Sequence, residues 1–207
     1  MMFLEKLGKE YEKIKDRIEE KLKEFEKNKD LKKEDKFVEL CFCILVANNR
    51  LEKTKYVWER IGKKFLTLSE KELKDVLKSY GMRFYNKRAK YIIKARNFID
   101  EIDKNVSENR EWFVENIKGI GYKEASHFLR NMGYKNFAIL DRHVMRFLIK
   151  NKIIEKQKNL TKKNYLEIEE KLKDIAKMLS TIVRKEISLA ELDLLIFYVQ
   201  TGKICEK

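Results

Sequence analysis

Proline is absent from all 207 residues, and only three cysteines and two histidines are present. Cys41, Cys43 and Cys205 are too few and too unevenly spaced for a disulfide framework or a four-cysteine metal site. Two of them sit in the apolar run 40–46, where buried free thiols are expected. No apolar run approaches the ~20 residues that cross a bilayer, and no secretory apolar segment opens the chain. A cytoplasmic, intracellular protein that meets no membrane is expected. No repeat or low-complexity linker divides the sequence, and strand-like alternation rarely persists beyond about four residues. Glutamine is scarce while Lys and Glu abound, a thermophile's bias that the proline-free loops contradict.

Charge is what the chain has in excess. Charged residues make up 40%, with 48 Lys+Arg against 34 Asp+Glu, a formal balance of +14. Such a surplus favours a polyanion, whether DNA, RNA or an anionic membrane surface. A codon bias towards lysine would give the same count without any partner. The 43% apolar content suffices for an ordinary core.

Helical periodicity fills most of the chain. Leu4, Leu7, Tyr11, Ile14, Ile18, Leu22 and Phe25 recur at steps of three and four along a Lys/Glu-rich first helix. Phe37, Leu40, Cys41, Ile44 and Leu45 mark a shorter, more buried one. Ser69 and Glu72 form a capping box that opens a helix through about Ser79. Ala89, Ile92, Ile93, Arg96 and Ile99 mark the next. Ala125, Phe128, Leu129 and Met132 share a face, and Gly133 is placed to end that helix. Ile168 to Leu179 and Leu189 to Val199 supply two more amphipathic stretches. His127 faces its apolar stripe poorly and is given no role. The expectation is an all-α protein of roughly ten helices.

The most pointed pattern is Lys118-Gly119-Ile120-Gly121-Tyr122-Lys123, followed by Leu140-Asp141-Arg142-His143. Glu111–Ile117 and Tyr122–Met132 read as helices, so Gly-Ile-Gly forms a hairpin between them, with the motif spanning about 111–132. Glycines let bare backbone approach a ligand closely, and a helix N-terminus offers free N–H groups to a phosphate. Gly119 and Gly121 are therefore the candidate DNA-backbone contacts, joined by His143. Alone, such a tripeptide is a plain turn, Lys123 a surface lysine and Asp141 an N-cap. Together they bring a phosphate-binding hairpin, an amine and a carboxylate into one pattern.

That pattern resembles the helix-hairpin-helix DNA glycosylases, and later segments narrow the resemblance to the archaeal-type 8-oxoguanine DNA glycosylases, over residues 37–207. The resemblance implies one unit over 1–207, built as two helical lobes with a DNA-binding cleft. One lobe combines both chain ends and the other takes the middle. It implies damaged double-stranded DNA as partner, association with the nucleoid through that DNA, and no metal or other cofactor; a monomer is expected because no repeated coiled-coil seam runs through the sequence. The four-cysteine iron–sulfur segment that closes many endonuclease III relatives is absent.

In this family's chemistry, Lys123 is the nucleophile at C1′ of the damaged nucleotide and Asp141 the carboxylate that takes its proton and steadies the cationic sugar. A lysine attacks only as the free amine, a form that the first turn of a helix favours. Asn48, Asn49 and Arg50 resemble the family's Asn-rich contact to the orphaned cytosine. Residues 81–91 resemble its Gly-Tyr-Arg-Ala-Arg-Tyr stretch, which puts Phe84 against the lesion and Arg83 or Arg88 on the opposite strand. Residues 192–203 resemble the family's closing segment, which implies Phe197 as the second wall of the base pocket and the terminal carboxylate of Lys207 as the acceptor for the N7–H that guanine lacks. Two alternatives stay open: a glycosylase for another damaged base, and a noncatalytic structure-specific DNA-binding module.

Overall fold

Eleven α-helices and three short 3-10 turns carry the chain, in a computed structural model that describes residues 2–107, 109–155 and 160–204. They fall into two compact units, one made of the chain's start through Glu26 together with Gly133 onward, the other of Lys27–Met132. The expected division, both ends in one body and the middle in the other, is what the chain adopts. No helix among the described residues is long and apolar enough to cross a membrane.

In the first unit, α1 (Met2–Lys27) buries the whole predicted stripe from Leu4 to Phe25. In the second, α2 (Lys33–Val46) is the central element. Every residue from Lys36 to Val46 is buried, so this helix is enclosed on all sides instead of showing one apolar face. Cys41 and Cys43 are free and buried there, and burial pushes the Cys41 thiol well up.

Against α2 pack α3 (Leu51–Ile61), α5 (Tyr85–Ala95), α6 (Ile99–Asn105) and α8 (Tyr122–Asn131), while α4 (Glu70–Ser79) packs on α5 and α7 (Arg110–Asn116) on α8. The capping box of Ser69 and Glu72 is formed with both bonds, worth about 1 kcal/mol to α4. The apolar stretch expected to run through Ile99 breaks after Ala95. There Arg96 turns to donate to the carbonyls of Phe65 and Leu68, at 2.7 and 2.6 Å. Gly133 takes the left-handed φ of +84° expected of the residue that ends α8. His127 is only 7% exposed and meets Phe42 edge-on at 5.9 Å, a core histidine where the stripe argument placed it poorly.

The first unit resumes with α9 (Arg142–Lys150), α10 (Lys162–Val183) and α11 (Leu189–Thr201). Helices α1 and α10 approach closely at Gly8, where a Cβ would stand 2.9 Å from Ile182 Cγ2. Two buried groups on α10 hold the segment leading to Asp141. Ala138 N donates to Glu169 Oε2 at 3.0 Å, and Tyr165 Oη donates to Ala138 O at 2.6 Å. A non-helical stretch with buried polar groups needs such partners, and they fix where α9 begins.

Candidate active site

The hairpin is built from two isoleucines and a glycine. Ile117 and Ile120 are buried, and Ile120 N donates back to Ile117 O at 3.1 Å. Between them Gly119 adopts φ +91°, and a Cβ on it would land 2.3 Å from Tyr91 Cδ2. Backbone angle and available space therefore both require glycine here. Gly121 differs: its φ of −106° is ordinary extended backbone, and a Cβ would meet only Glu124 Oε2, at 3.3 Å. As the N-cap of α8 it provides no side-chain acceptor, which leaves the first-turn amides available to a phosphate. Gly119→Ala should lower stability by about 1–3 kcal/mol and weaken DNA binding, whereas Gly121→Ala should cost less than about 1 kcal/mol. Thermal melts paired with titrations of a labelled duplex check both; equal effects would refute this account of the turn.

Lys123 is the second residue of α8, with its side chain 27% exposed. Its Nζ lies 3.5 Å from Glu124 Oε1, a carboxylate that sequence reasoning missed. The available signal was a glutamate in a helix's first turn, where the dipole favours an anion.

Asn48, exposed, has a left-handed backbone with φ +56°. Arg50, also exposed, precedes α3 in extended backbone. Asn49 is used internally: its Nδ2 donates to Leu45 O at 2.7 Å and its Oδ1 accepts from Arg83 N at 3.4 Å. Arg83 is exposed, its guanidinium 5.4 Å from the centre of the Phe84 ring. Phe84 is 52% exposed, at φ +57°.

Arg88, expected on the opposite strand, is only 5% exposed. Its Nε donates to Arg83 O at 2.8 Å, and its two terminal nitrogens donate to Ile44 O and Ala47 O. Burial draws the guanidinium down to about 10, partly opposed by the charge of Glu124. The strand contact expected of Arg88 is thus corrected, because its donors are spent on carbonyls inside the unit. Asn49 differs, because its amide keeps a second N–H and a second lone pair beyond the bonds to Leu45 O and Arg83 N.

In the first unit, Asp141 is the N-cap of α9. Its Oδ1 accepts from His143 N at 2.8 Å and Val144 N at 2.9 Å. Both bonds fall on one oxygen, so the cap does not use Oδ2. His143 turns its ring towards Phe197, centroids 5.1 Å apart and planes at 66°. Its Nε2 takes the Arg142 Nε–H at 3.2 Å, and its Nδ1 is buried without a hydrogen-bond partner. Burial holds the imidazole below its usual range, opposed by Asp141 and reinforced by Arg142 and Arg146. The ring thus braces Phe197 with Nδ1 turned inward, so a phosphate contact by His143 would fall to Nε2. Phe197 itself is half-buried on α11. Lys207 lies outside the described residues.

Comparison with known proteins gives one consistent answer. The family model for 8-oxoguanine DNA glycosylase matches residues 18–181. The 8-oxoguanine DNA glycosylase/AP lyase of Methanocaldococcus jannaschii is 46% identical, over 99% of both chains. Its Thermoplasma volcanium counterpart is 43% identical over 90% of each. A crystal structure of the M. jannaschii enzyme, in complex with 15mer DNA containing 8-oxoguanine, superposes with a TM-score of 0.91 at 45% identity over 99% of both chains. That of the Thermotoga maritima 8-oxoguanine DNA glycosylase gives 0.91 at 36% identity, again over 99% of both. The likeness thus extends beyond residues 37–207 to take in α1, whose amphipathic stripe carried no family motif. This chain belongs to the archaeal-type 8-oxoguanine DNA glycosylase/AP lyases of the helix-hairpin-helix superfamily.

Proposed function

We propose that this protein removes 8-oxoguanine from duplex DNA and cuts the strand at the resulting site, with Lys123 as nucleophile and Asp141 as its carboxylate partner. The observation that carries the reading is the hairpin itself: a glycine-enforced turn that opens α8 with uncapped amides and puts Lys123 on that same first turn. Phosphate held by those amides fixes the DNA backbone within reach of the amine. Family membership and the M. jannaschii complex with 8-oxoguanine DNA support the substrate.

The Lys123 Nζ lone pair attacks C1′, and the C1′–N9 bonding pair leaves with the base, which takes up a proton. Asp141 accepts the proton that the attacking amine loses and stabilises the positive charge on the sugar during bond exchange. Its Oδ1 stays on the α9 cap, so Oδ2 is the oxygen for this work. Asp141 returns that proton to O4′ as the C1′–O4′ bond breaks, and the nitrogen lone pair forms an iminium between C1′ and Nζ, which acidifies the C2′–H. Loss of that proton breaks the C3′–O3′ bond, expelling the 3′ phosphate. Water then releases Lys123. Phe84 and Phe197 are the aromatic surfaces for the extruded base, and Asn48, Arg50 and Arg83 the exposed groups for the opposite strand.

Borohydride tests this directly, because hydride reduces the iminium to a stable amine. Incubation with a duplex holding one 8-oxoguanine opposite cytosine should give a covalent protein–DNA adduct. An adduct only with a different damaged base would keep the mechanism and replace the substrate. Tight binding with no adduct on any lesion would return the protein to a noncatalytic DNA-binding role.

A further inference from the structure

Arg88 joins two left-handed turns, and the arrangement bears on how a base leaves the helix. Among the described residues, four non-glycine positions have positive φ, and two of these are Asn48 and Phe84. Asparagine tolerates that conformation, but a bulky aromatic does so only when its surroundings enforce it. The carbonyls immediately before each turn, Ala47 O and Arg83 O, both accept from the one guanidinium of Arg88. A third donor reaches Ile44 O, in the last turn of α2, where carbonyls lack intrahelical partners. Asn49 completes the joint, donating to Leu45 O and accepting from Arg83 N. From outside, Lys53 Nζ donates to Gly81 O at 2.6 Å. Phe84, at the centre of this joint, is 52% exposed. The fold therefore spends a buried cation on keeping a strained aromatic in solvent.

We infer that Arg88 is a positioning residue for base extrusion: by binding the carbonyls before Asn48 and Phe84, it locks both turns in the arrangement that presents Phe84 to the duplex. This rests on the reading of Phe84 as the aromatic that meets the extruded base. Arginine suits the task because its planar fork serves three carbonyls in fixed directions, which a lysine ammonium cannot reproduce. Lesion extrusion depends on this presentation. Chemistry at a site already lacking its base does not, since no stacked base has to be replaced.

The test measures single-turnover excision of 8-oxoguanine opposite cytosine, alongside strand cutting at a preformed abasic site. It uses Arg88→Lys, Arg88→Gln, Phe84→Ala and the Phe84→Ala/Arg88→Gln double variant. Both Arg88 variants should slow excision ~10–100-fold and leave abasic-site cutting within about threefold. On the Phe84→Ala background the Arg88 change should add little, because both act through one ring. Equal loss of both activities, full additivity, or wild-type excision in Arg88→Lys would overturn the inference. So would failure of both Arg88 variants to fold, which would make Arg88 a plain core determinant. If Phe84→Ala itself excises normally, the underlying reading of Phe84 fails instead, a result distinguishable from the others.

Discussion

Lys123→Gln should abolish borohydride trapping and lower strand cutting by about 10³-fold or more, while DNA affinity changes little. Glutamine keeps most of the stem and a polar end but has no lone pair able to form an iminium. The structural cost should be small. Lys123 lies on the first turn of α8 with its side chain 27% exposed, and its ion pair with Glu124 is a long 3.5 Å. Such a pair contributes under about 1 kcal/mol, so melting should shift by only a degree or two and binding should persist through the hairpin amides. Lys118 is the nearest alternative amine in the sequence, exposed just before the hairpin. Trapping that survives Lys123→Gln but disappears in Lys118→Gln would move the nucleophile to the other side of the turn. Trapping lost only in Lys123→Gln ties hairpin, helix and chemistry to one residue.

Helices and their ends were legible because each is set by neighbours in sequence. Ser69 and Glu72 are three residues apart and make their capping box; Gly133 follows an apolar face and takes the left-handed turn. Catalytic candidates were legible through motif spacing, with their local settings now visible: Lys123 beside Glu124, Asp141 capping α9. Arg88 was not legible. Its task is set by carbonyls at Ile44 and Ala47, about forty residues earlier, and no local pattern distinguishes it from the exposed Arg83 and Lys87. A buried arginine bonded to carbonyls instead of carboxylates leaves no charge pairing to read. Tyr91 is similar, since only the folded hairpin reveals that its ring closes the space over Gly119. The packing of the His143 ring on Phe197 is likewise visible only in the fold, because the two residues lie more than fifty positions apart in the chain. The division into two bodies came from family resemblance, because amphipathic stripes say which face is buried but not against which helix.

Asp141 is where a structural and a chemical role share one carboxylate, and two substitutions separate them. Asp141→Asn retains an Oδ1 acceptor for the amides of His143 and Val144, the bonds that cap α9. Asparagine caps helices about as well as aspartate, so the loss is limited to the charge–dipole attraction, roughly 0.3–1 kcal/mol. Asp141→Ala removes the acceptor as well and should cost about 1–2 kcal/mol, visible as a lower melting temperature. Activity should follow a different order. If the charge on this carboxylate takes the amine proton and stabilises the sugar cation, both variants lose excision by about 10²–10⁴-fold, and to similar extents. Stability would then distinguish Asn from Ala while catalysis would not. The opposite pattern, Asp141→Asn cutting within about threefold of wild type and Asp141→Ala impaired in proportion to its instability, would reduce Asp141 to a cap. It would also leave the proton from Lys123 without an acceptor, and Glu124, 3.5 Å from Nζ, would then be the carboxylate to substitute next.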